Sequence, residues 1–231
     1  MSHVSDAITL KAVFKGYGTG DTAQRVLDDV DFRVGRGEFT VISGPSGCGK
    51  STLLNLMGGI DSPDKGKILI NGTDINALKD HQLAKLRNQT LGFIFQSFHL
   101  VPVLSALENV CLPMTFYSQN RVSRIERAKH LLKQVGLSNY MHNKPGHLSG
   151  GQRQRVAVAR ALACKPSIIL ADEPTGNLDS KTAEEIIMLL QQFNKEEGVT
   201  FIFSTHDPKI MAYGRRCISI DDRKLIDSTN M

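Results

Sequence analysis

No run in this 231-residue sequence approaches the roughly 18 to 20 consecutive apolar residues that a membrane-spanning helix needs. Residues 1–10 also lack a basic segment followed by an apolar core, so nothing there reads as a secretory signal. A soluble, cytoplasmic chain is expected, one that acts on a membrane only through another polypeptide. Cysteine is sparse: Cys48, Cys111, Cys164 and Cys217 lie far apart, with no C-x-x-C pair and no histidines at ligand spacing. That pattern argues against a zinc site or a disulfide framework and makes a reducing compartment the default. Internal repeats, low-complexity tracts and linkers are missing too. Nor is positive charge concentrated anywhere. The 28 Lys and Arg exceed the 23 Asp and Glu to give a net charge of +5, yet they are scattered, with only short pairs such as Arg215-Arg216. Such a balance suits an anionic ligand or an anionic membrane face, and nucleic-acid binding is not expected.

What is present is an ordinary globular composition, 41% apolar and 22% charged, in a chain long enough for one large α/β domain or a core with an inserted subdomain. Within it, Gly44-Pro45-Ser46-Gly47-Cys48-Gly49-Lys50-Ser51-Thr52 satisfies G-x-x-x-x-G-K-[ST] at every fixed position. The apolar run Phe39-Thr40-Val41-Ile42-Ser43 precedes it and a helix is predicted over 51–57, which is the strand–loop–helix context of a P-loop. Glycines let backbone N–H groups turn inward around a phosphate, and the helix start adds its positive dipole end. Lys50 is then placed to reach the β- and γ-phosphates and Ser51 to set a hydroxyl on Mg²⁺. A nucleoside triphosphate ligand is expected. Cys48, beside Lys50 and a helix N-terminus, has surroundings that favour a thiolate, although it also fills a position the motif leaves free.

Along the chain, strands are expected over 8–14 and 30–34, separated by a Gly-rich turn over 16–20. A turn at 63–66 leads into strand 67–70, and Asn71-Gly72 reads as the turn of a hairpin. A helix over 81–88 and a strand over 90–95 follow. Between 97 and 164 strand signals fade, and helices are predicted at 106–110, 121–135 and 152–164, an α-helical subdomain inserted into the α/β core formed by 1–96 and 165–231. Ser167-Ile168-Ile169-Leu170-Ala171 is a continuous apolar run of the parallel-sheet type. A helix over 180–196, a strand over 200–203, a short helix near 208–213 and terminal strands near 217–220 and 224–226 complete the chain.

Three further stretches carry chemistry. Asp172 and Glu173 end the apolar run, where a carboxylate at the tip of a parallel strand next to the P-loop strand can serve Mg²⁺; Asp172 is the metal candidate, and Glu173, pointing away, can polarise a water. Leu148-Ser149-Gly150-Gly151-Gln152 presents a second helix start capped by Ser149, with Arg153, Arg155 and Arg160 along the helix. One triphosphate in the P-loop does not need a distant second anion site. A two-chain arrangement, each Ser149 loop closing on the nucleotide of the other chain, accounts for both. His206 follows the last long apolar strand and can donate to a γ-phosphate. Gln96 is a strand-end polar residue able to meet Mg²⁺ or water. Asp179 is a further site candidate, with a helix cap as the other reading, and Asp207-Pro208 starts a helix.

Together these residues resemble the nucleotide-binding subunit of an ABC transporter over nearly the whole chain. In that family 44–52 is the Walker A segment, Gln96 the Q-loop glutamine, 148–152 the signature, 168–172 Walker B with Glu173 as catalytic base, Asn177-Leu178-Asp179 the D-loop and His206 the switch histidine. Tyr17 falls where the family places an aromatic that stacks on adenine, though a turn tyrosine could equally be packing. The resemblance implies an ATPase with a P-loop NTPase (RecA-like) core, an N-terminal antiparallel β subdomain and an inserted helical subdomain. It also implies ATP and Mg²⁺ as cofactors, a homodimer formed on ATP binding, and an integral membrane permease on a separate chain at the cytoplasmic face of the inner membrane.

Softer similarity over 95–102, 106–110 and 173–180 points to the branch holding the lipoprotein-releasing LolD, macrolide-exporting MacB and cell-division FtsE types. The chain stops too early for the fused membrane segment of the MacB type. An FtsE-like regulatory ATPase that signals without transport is the alternative, and ABC ATPases of DNA repair or translation fit poorly, since no long coiled coil precedes the signature. The apolar region 98–104 is expected either to pack in the core or to dock the permease.

Overall fold

The computed structural model describes residues 6–18, 24–116 and 120–228. In its first layer β2 (Gln24–Gly35) alternates at period 2, burying Val30, Phe32 and Val34 while Asp31 and Arg33 face out, and β1 (Asp6–Tyr17) buries all of 7–10 and then Val13. Both strands run longer than their apolar runs predict, because Gly16 and Tyr17 still pair with Arg25 and Gln24. The predicted turn over 16–20 is therefore strand at its start, and its last two positions lie outside the described residues. Ala12 breaks the register with φ 47°, and Asp31 Oδ1 accepts its N–H at 3.1 Å. β4 (Lys65–Ile70) turns through Asn71 and Gly72, both at positive φ, into β5 (Thr73–Asp74), the hairpin that the Asn-Gly pair predicts. These strands form an antiparallel sheet in the order β2-β1-β4-β5.

The second sheet is built from β3 (Phe39–Ser43), β6 (Leu91–Phe95), β7 (Ile168–Asp172), β8 (Thr200–Ser204), β9 (Arg216–Asp221) and β10 (Lys224–Asp227), in the order β10-β9-β3-β8-β7-β6. All neighbours are parallel except the terminal β9–β10 pair. This order corrects one expectation. Asp172 does not end a strand next to the P-loop strand, because β8 lies between β7 and β3. Parallel strands need a crossover, and α6 (Ser180–Glu197) carries the chain from β7 to its neighbour β8, an adjacency that local sequence cannot reveal. Phe39, Phe201 and Phe203 bring their rings within 5.6 Å at the centre of this sheet.

α1 (Lys50–Met57) and α2 (Asp80–Thr90) precede β6, and α7 (Pro208–Met211) follows β8. Between β6 and β7 the described residues contain helices and no strand: α3 (Ala106–Cys111), α4 (Arg121–Gln134) and α5 (Gly150–Leu162), with short 3₁₀ segments between them. These helices are not a separate globule. Val110, Leu131, Leu132 and Val158 share one buried cluster with Ile94, Ile169, Ala171 and Phe203 of the sheet. Among the described residues no helix is long and apolar enough to cross a membrane.

Candidate active site

Strand ends that share one edge of the parallel sheet carry polar residues into a common cavity of about 700 Å³. Its floor is the loop after β3 and the start of α1. Gly49 caps α1 in the left-handed conformation (φ 109°) and no side chain occupies the cap, so the first N–H groups of the helix stay available to an anion. Buried Lys50 folds back over the loop, Nζ donating to the carbonyls of Gly44 (2.9 Å) and Pro45 (3.0 Å). Ser46, Gly47, Gly49, Ser51 and Thr52 line the cavity with Lys50. Gly44, Pro45 and Cys48 do not; they shape the loop, and Cys48 packs against the core between the two sheets.

The opposite wall comes from β6, β7 and β8. Asp172 ends β7, and Glu173 follows it with φ 43°, a left-handed backbone that a non-glycine residue adopts at a cost of about 1–3 kcal/mol. Ser204, at the end of β8 and fully buried, ties both together: its Oγ donates to Asp172 Oδ1 at 2.7 Å and accepts the Glu173 N–H at 2.9 Å. Glu173 Oε1 lies 3.0 Å from Nδ1 of the largely exposed His206. Gln96, just beyond β6, gives its backbone carbonyl to Asn177 Nδ2 (3.0 Å), and its side chain lies so close to Gly176 that a Cβ there would come within 2.6 Å of Nε2. At the mouth, Tyr17, Gln24 and Val26 from the antiparallel sheet close the wall.

Thus Tyr17, Lys50, Ser51, Gln96, Asp172, Glu173 and His206 meet in one cavity. Ser149, Gly150, Gly151, Gln152 and Asp179 do not reach it. They form a second, exposed cluster in which Ser149 Oγ accepts the Gln152 N–H (3.2 Å) and Gln152 Oε1 accepts the Ser149 N–H (2.9 Å), a capping box on α5. Gly150 rests on Leu178 and Gly151 on Thr182, while Asp179 caps α6 and accepts from Thr182 N (3.0 Å) and Oγ1 (2.7 Å). Those Thr182 bonds hold the Asp179 carboxyl below its ordinary range. The arginines of α5 serve structure instead of an anion. Arg155 pairs with Glu185 (2.9 Å), Arg160 donates to the carbonyls of Phe98 and His99, both at positive φ, and Arg153 lies 5.1 Å over the Phe98 ring.

The matched family pattern, described as ABC transporter, covers residues 27–176. The chain belongs to the ABC transporter family. It is 47% identical over 221 residues to the lipoprotein-releasing system ATP-binding protein LolD of Anaeromyxobacter dehalogenans, covering 95% of this chain and 92% of that protein. An uncharacterized ABC transporter ATP-binding protein of Thermotoga maritima is 48% identical, covering 92% and 91%. Among solved structures, the dimeric post-hydrolysis state of the ATP-binding cassette MJ0796 from Methanocaldococcus jannaschii, bound to ADP and Pi, superposes with a TM-score of 0.87 at 44% identity, covering 94% of this chain and 96% of that one. The fold is that of the ABC ATPases, and the chain is an ATP-hydrolysing subunit that drives a membrane transporter.

Sequence reasoning alone missed Ser204, whose role depends on β7 and β8 being neighbours. It also missed the wall residues Gln24 and Val26, which no motif marks, and an ion pair behind Tyr17, formed by buried Lys15 and half-buried Asp61. A lysine two residues before the tyrosine was the only local signal for that pair.

Proposed function

We propose that this ABC ATPase works as a head-to-tail homodimer clasping two ATP molecules, and that the pair drives a permease carried on a separate chain. The observation that carries this reading is the separation of the two clusters: among the described residues the P-loop cavity has no wall from Ser149, whose helix start stands apart from it. Two-fold pairing completes both. Lys50 and the P-loop N–H groups then hold the β- and γ-phosphates, Tyr17 offers its ring to the base, and Ser149, Gly150 and Gly151 of the second copy close on the γ-phosphate.

The residues present fit Mg²⁺. Ser51, Gln96 and Asp172 offer oxygen to the same part of the cavity, and the described residues hold no cluster of three acidic or metal-binding side chains of the kind that cages an ion on its own. A hydroxyl, an amide and one carboxylate suit an ion that arrives with phosphates, and when bound it neutralises their charge. Glu173 is the base that directs water at the γ-phosphate. His206, hydrogen-bonded to Glu173 at 3.0 Å, orients that carboxylate and turns to the phosphate when ATP is present.

A second cavity lies elsewhere, a mainly apolar groove of about 1070 Å³ between α2, β6 and the helical segment, lined by Ile60, Phe93, Phe95, His99, Pro113 and Phe116. It abuts β6, which ends one residue before Gln96, and a cytoplasmic helix of the permease docked there would feel movement of that residue. His99 and not the whole 98–104 region supplies its wall, since Arg160 and Arg153 tie Phe98 inward. The similarity to lipoprotein-releasing subunits favours transport or extraction of a lipid-modified or comparably hydrophobic substrate, worked from the cytoplasmic face of the membrane, over signalling without transport. Phe116→Asp tests the docking surface. Loss of permease-dependent stimulation of ATP hydrolysis is expected, and full stimulation by that variant would place the permease on another face.

A further inference from the structure

Behind the Tyr17 ring on the cavity wall lies a charged network that phosphate binding does not require. Lys15 is buried at 8% exposure, and its Nζ donates to Asp61 Oδ1 and to the Ser62 carbonyl, each at 2.8 Å. The same ammonium lies 4.9 Å from the centroid of the Tyr17 ring. The second carboxylate oxygen, Asp61 Oδ2, accepts the Tyr17 hydroxyl at 2.8 Å, and the Ser62 N–H donates to Oδ1 at 2.7 Å. One carboxylate thus fixes a cation over the ring face and the hydroxyl at the ring edge. Two more bonds stitch the strand end to the same turn: Gly16 N–H to Asp64 Oδ2 (2.7 Å) and Asp64 N–H to the Phe14 carbonyl (2.9 Å).

Burial works against both charges, and the pairing wins. Desolvation favours neutral Lys15, yet Asp61 holds its pKa above the ordinary value; desolvation also opposes the Asp61 carboxylate, yet bonds from Lys15, Tyr17 and Ser62 keep its pKa low. A clasp that merely tied β1 to the turn after α1 would need Lys15 and Asp61 alone. It would not need the tyrosine hydroxyl or a cation on the ring. Of the three side chains only Tyr17 lines the cavity, with 46% of its surface exposed, so the face covered by Lys15 is turned away from it.

We propose that Asp61 and Lys15 are positioning residues for nucleotide binding: they lock the Tyr17 ring before ATP arrives, with one face covered by the ammonium and the other preset to stack on the base. This rests on Tyr17 being the base platform, as proposed above. An exposed tyrosine left free would lose rotamer freedom on stacking, and locking it in the empty protein removes that cost from the binding step. Stacking reads a π-face and not a hydrogen-bonding edge, so the locked ring strengthens binding of purine nucleotides generally.

The test is Asp61→Asn, which keeps the shape but removes the charge that holds the Lys15 ammonium over the ring and leaves the Tyr17 hydroxyl only a neutral amide as partner. The expected result is a rise of roughly fivefold in KM and Kd for ATP with kcat within about twofold, and unchanged affinity for inorganic tripolyphosphate, which has no base. In a Tyr17→Ala background the Asp61→Asn change should add nothing. Tyr17→Phe, which keeps the ring but removes the hydroxyl and its bonds to Asp61 and Thr52, should raise the ATP Kd about twofold to threefold with little effect on tripolyphosphate, and it serves if the Asp61 variant does not fold. Equal weakening of ATP and tripolyphosphate, or a fall in kcat at constant KM, would overturn the positioning role and leave a structural clasp. If Tyr17→Ala bound ATP as tightly as the unaltered protein, the platform itself would be lost, an outcome distinct from failure of the Asp61 variant alone.

Discussion

Ser204 is the residue on which the geometry of the catalytic wall converges. It is uncharged, and its one hydroxyl serves the Asp172 carboxylate and the backbone of Glu173 at once. Replacement by alanine removes the hydroxyl and both bonds without overfilling the site. A hydrogen bond to a charged group is worth about 1.5–3 kcal/mol, so Ser204→Ala should lose stability of about that size, and kcat should fall by about tenfold or more beyond what unfolding explains. Steady-state kinetics beside a melting curve would show it; a normal kcat would remove Ser204 from the alignment of the two acids. Glu173→Gln should retain ATP while turnover stops, which a nucleotide-retention assay measures directly. The motif residues were legible because phosphate chemistry demands particular side chains at fixed local spacing, as at Gly49, Lys50 and Ser51. Ser204 was not, because its meaning depends on which strand lies beside which, and neither does any spacing announce that Asp61 closes on Tyr17 across 44 residues of chain.

Among the elements, α5 carries two tasks at one end. Ser149 caps the helix, and in the proposed dimer the same hydroxyl would also meet a second copy's γ-phosphate. Asp is as good an N-cap as Ser but brings a negative charge, so Ser149→Asp should keep its melting temperature while losing ATP-driven pairing. Ser149→Ala should instead cost about 1 kcal/mol in stability. Comparing their melting curves with their mass in ATP separates the two roles. The clasp at the end of β1 adds a pH dependence. The folded Asp61 pKa lies below that of the unfolded chain, near 3.9, so its contribution to stability is complete above about pH 5 and is lost as pH falls through the folded pKa. Asp61→Asn should therefore melt at lower temperature than the unaltered protein at pH 6, and the gap should narrow by pH 3; a constant gap would contradict this. Helix and strand types were readable from periodicity and caps. Strand ends were less so: β1 runs on through Lys15, Gly16 and Tyr17 because cross-strand partners hold what alternation no longer signals.

At the scale of the whole molecule, one hydrophobic cluster runs from the helices between β6 and β7 into the parallel sheet, so the two move as packed neighbours. Asn177 adds a bond from the loop after β7 to Gln96, and α5 reaches the carbonyl of Pro174 through the fully buried Gln154. A change at the γ-phosphate can thus pass to the groove and to the Ser149 tip through contacts already in place. Strand order and shared packing of this kind arise only in three dimensions, which is why the sequence led to the site's residues but placed Asp172 beside the wrong strand. The most direct test of the account is the mass of Glu173→Gln by sedimentation, with and without ATP and Mg²⁺. The 25.4 kDa chain should run as a monomer alone and as a dimer with nucleotide, and adding Ser149→Asp should return it to monomer. A chain that stayed monomeric with ATP bound, while the unaltered protein hydrolysed at full rate regardless of Ser149, would contradict it.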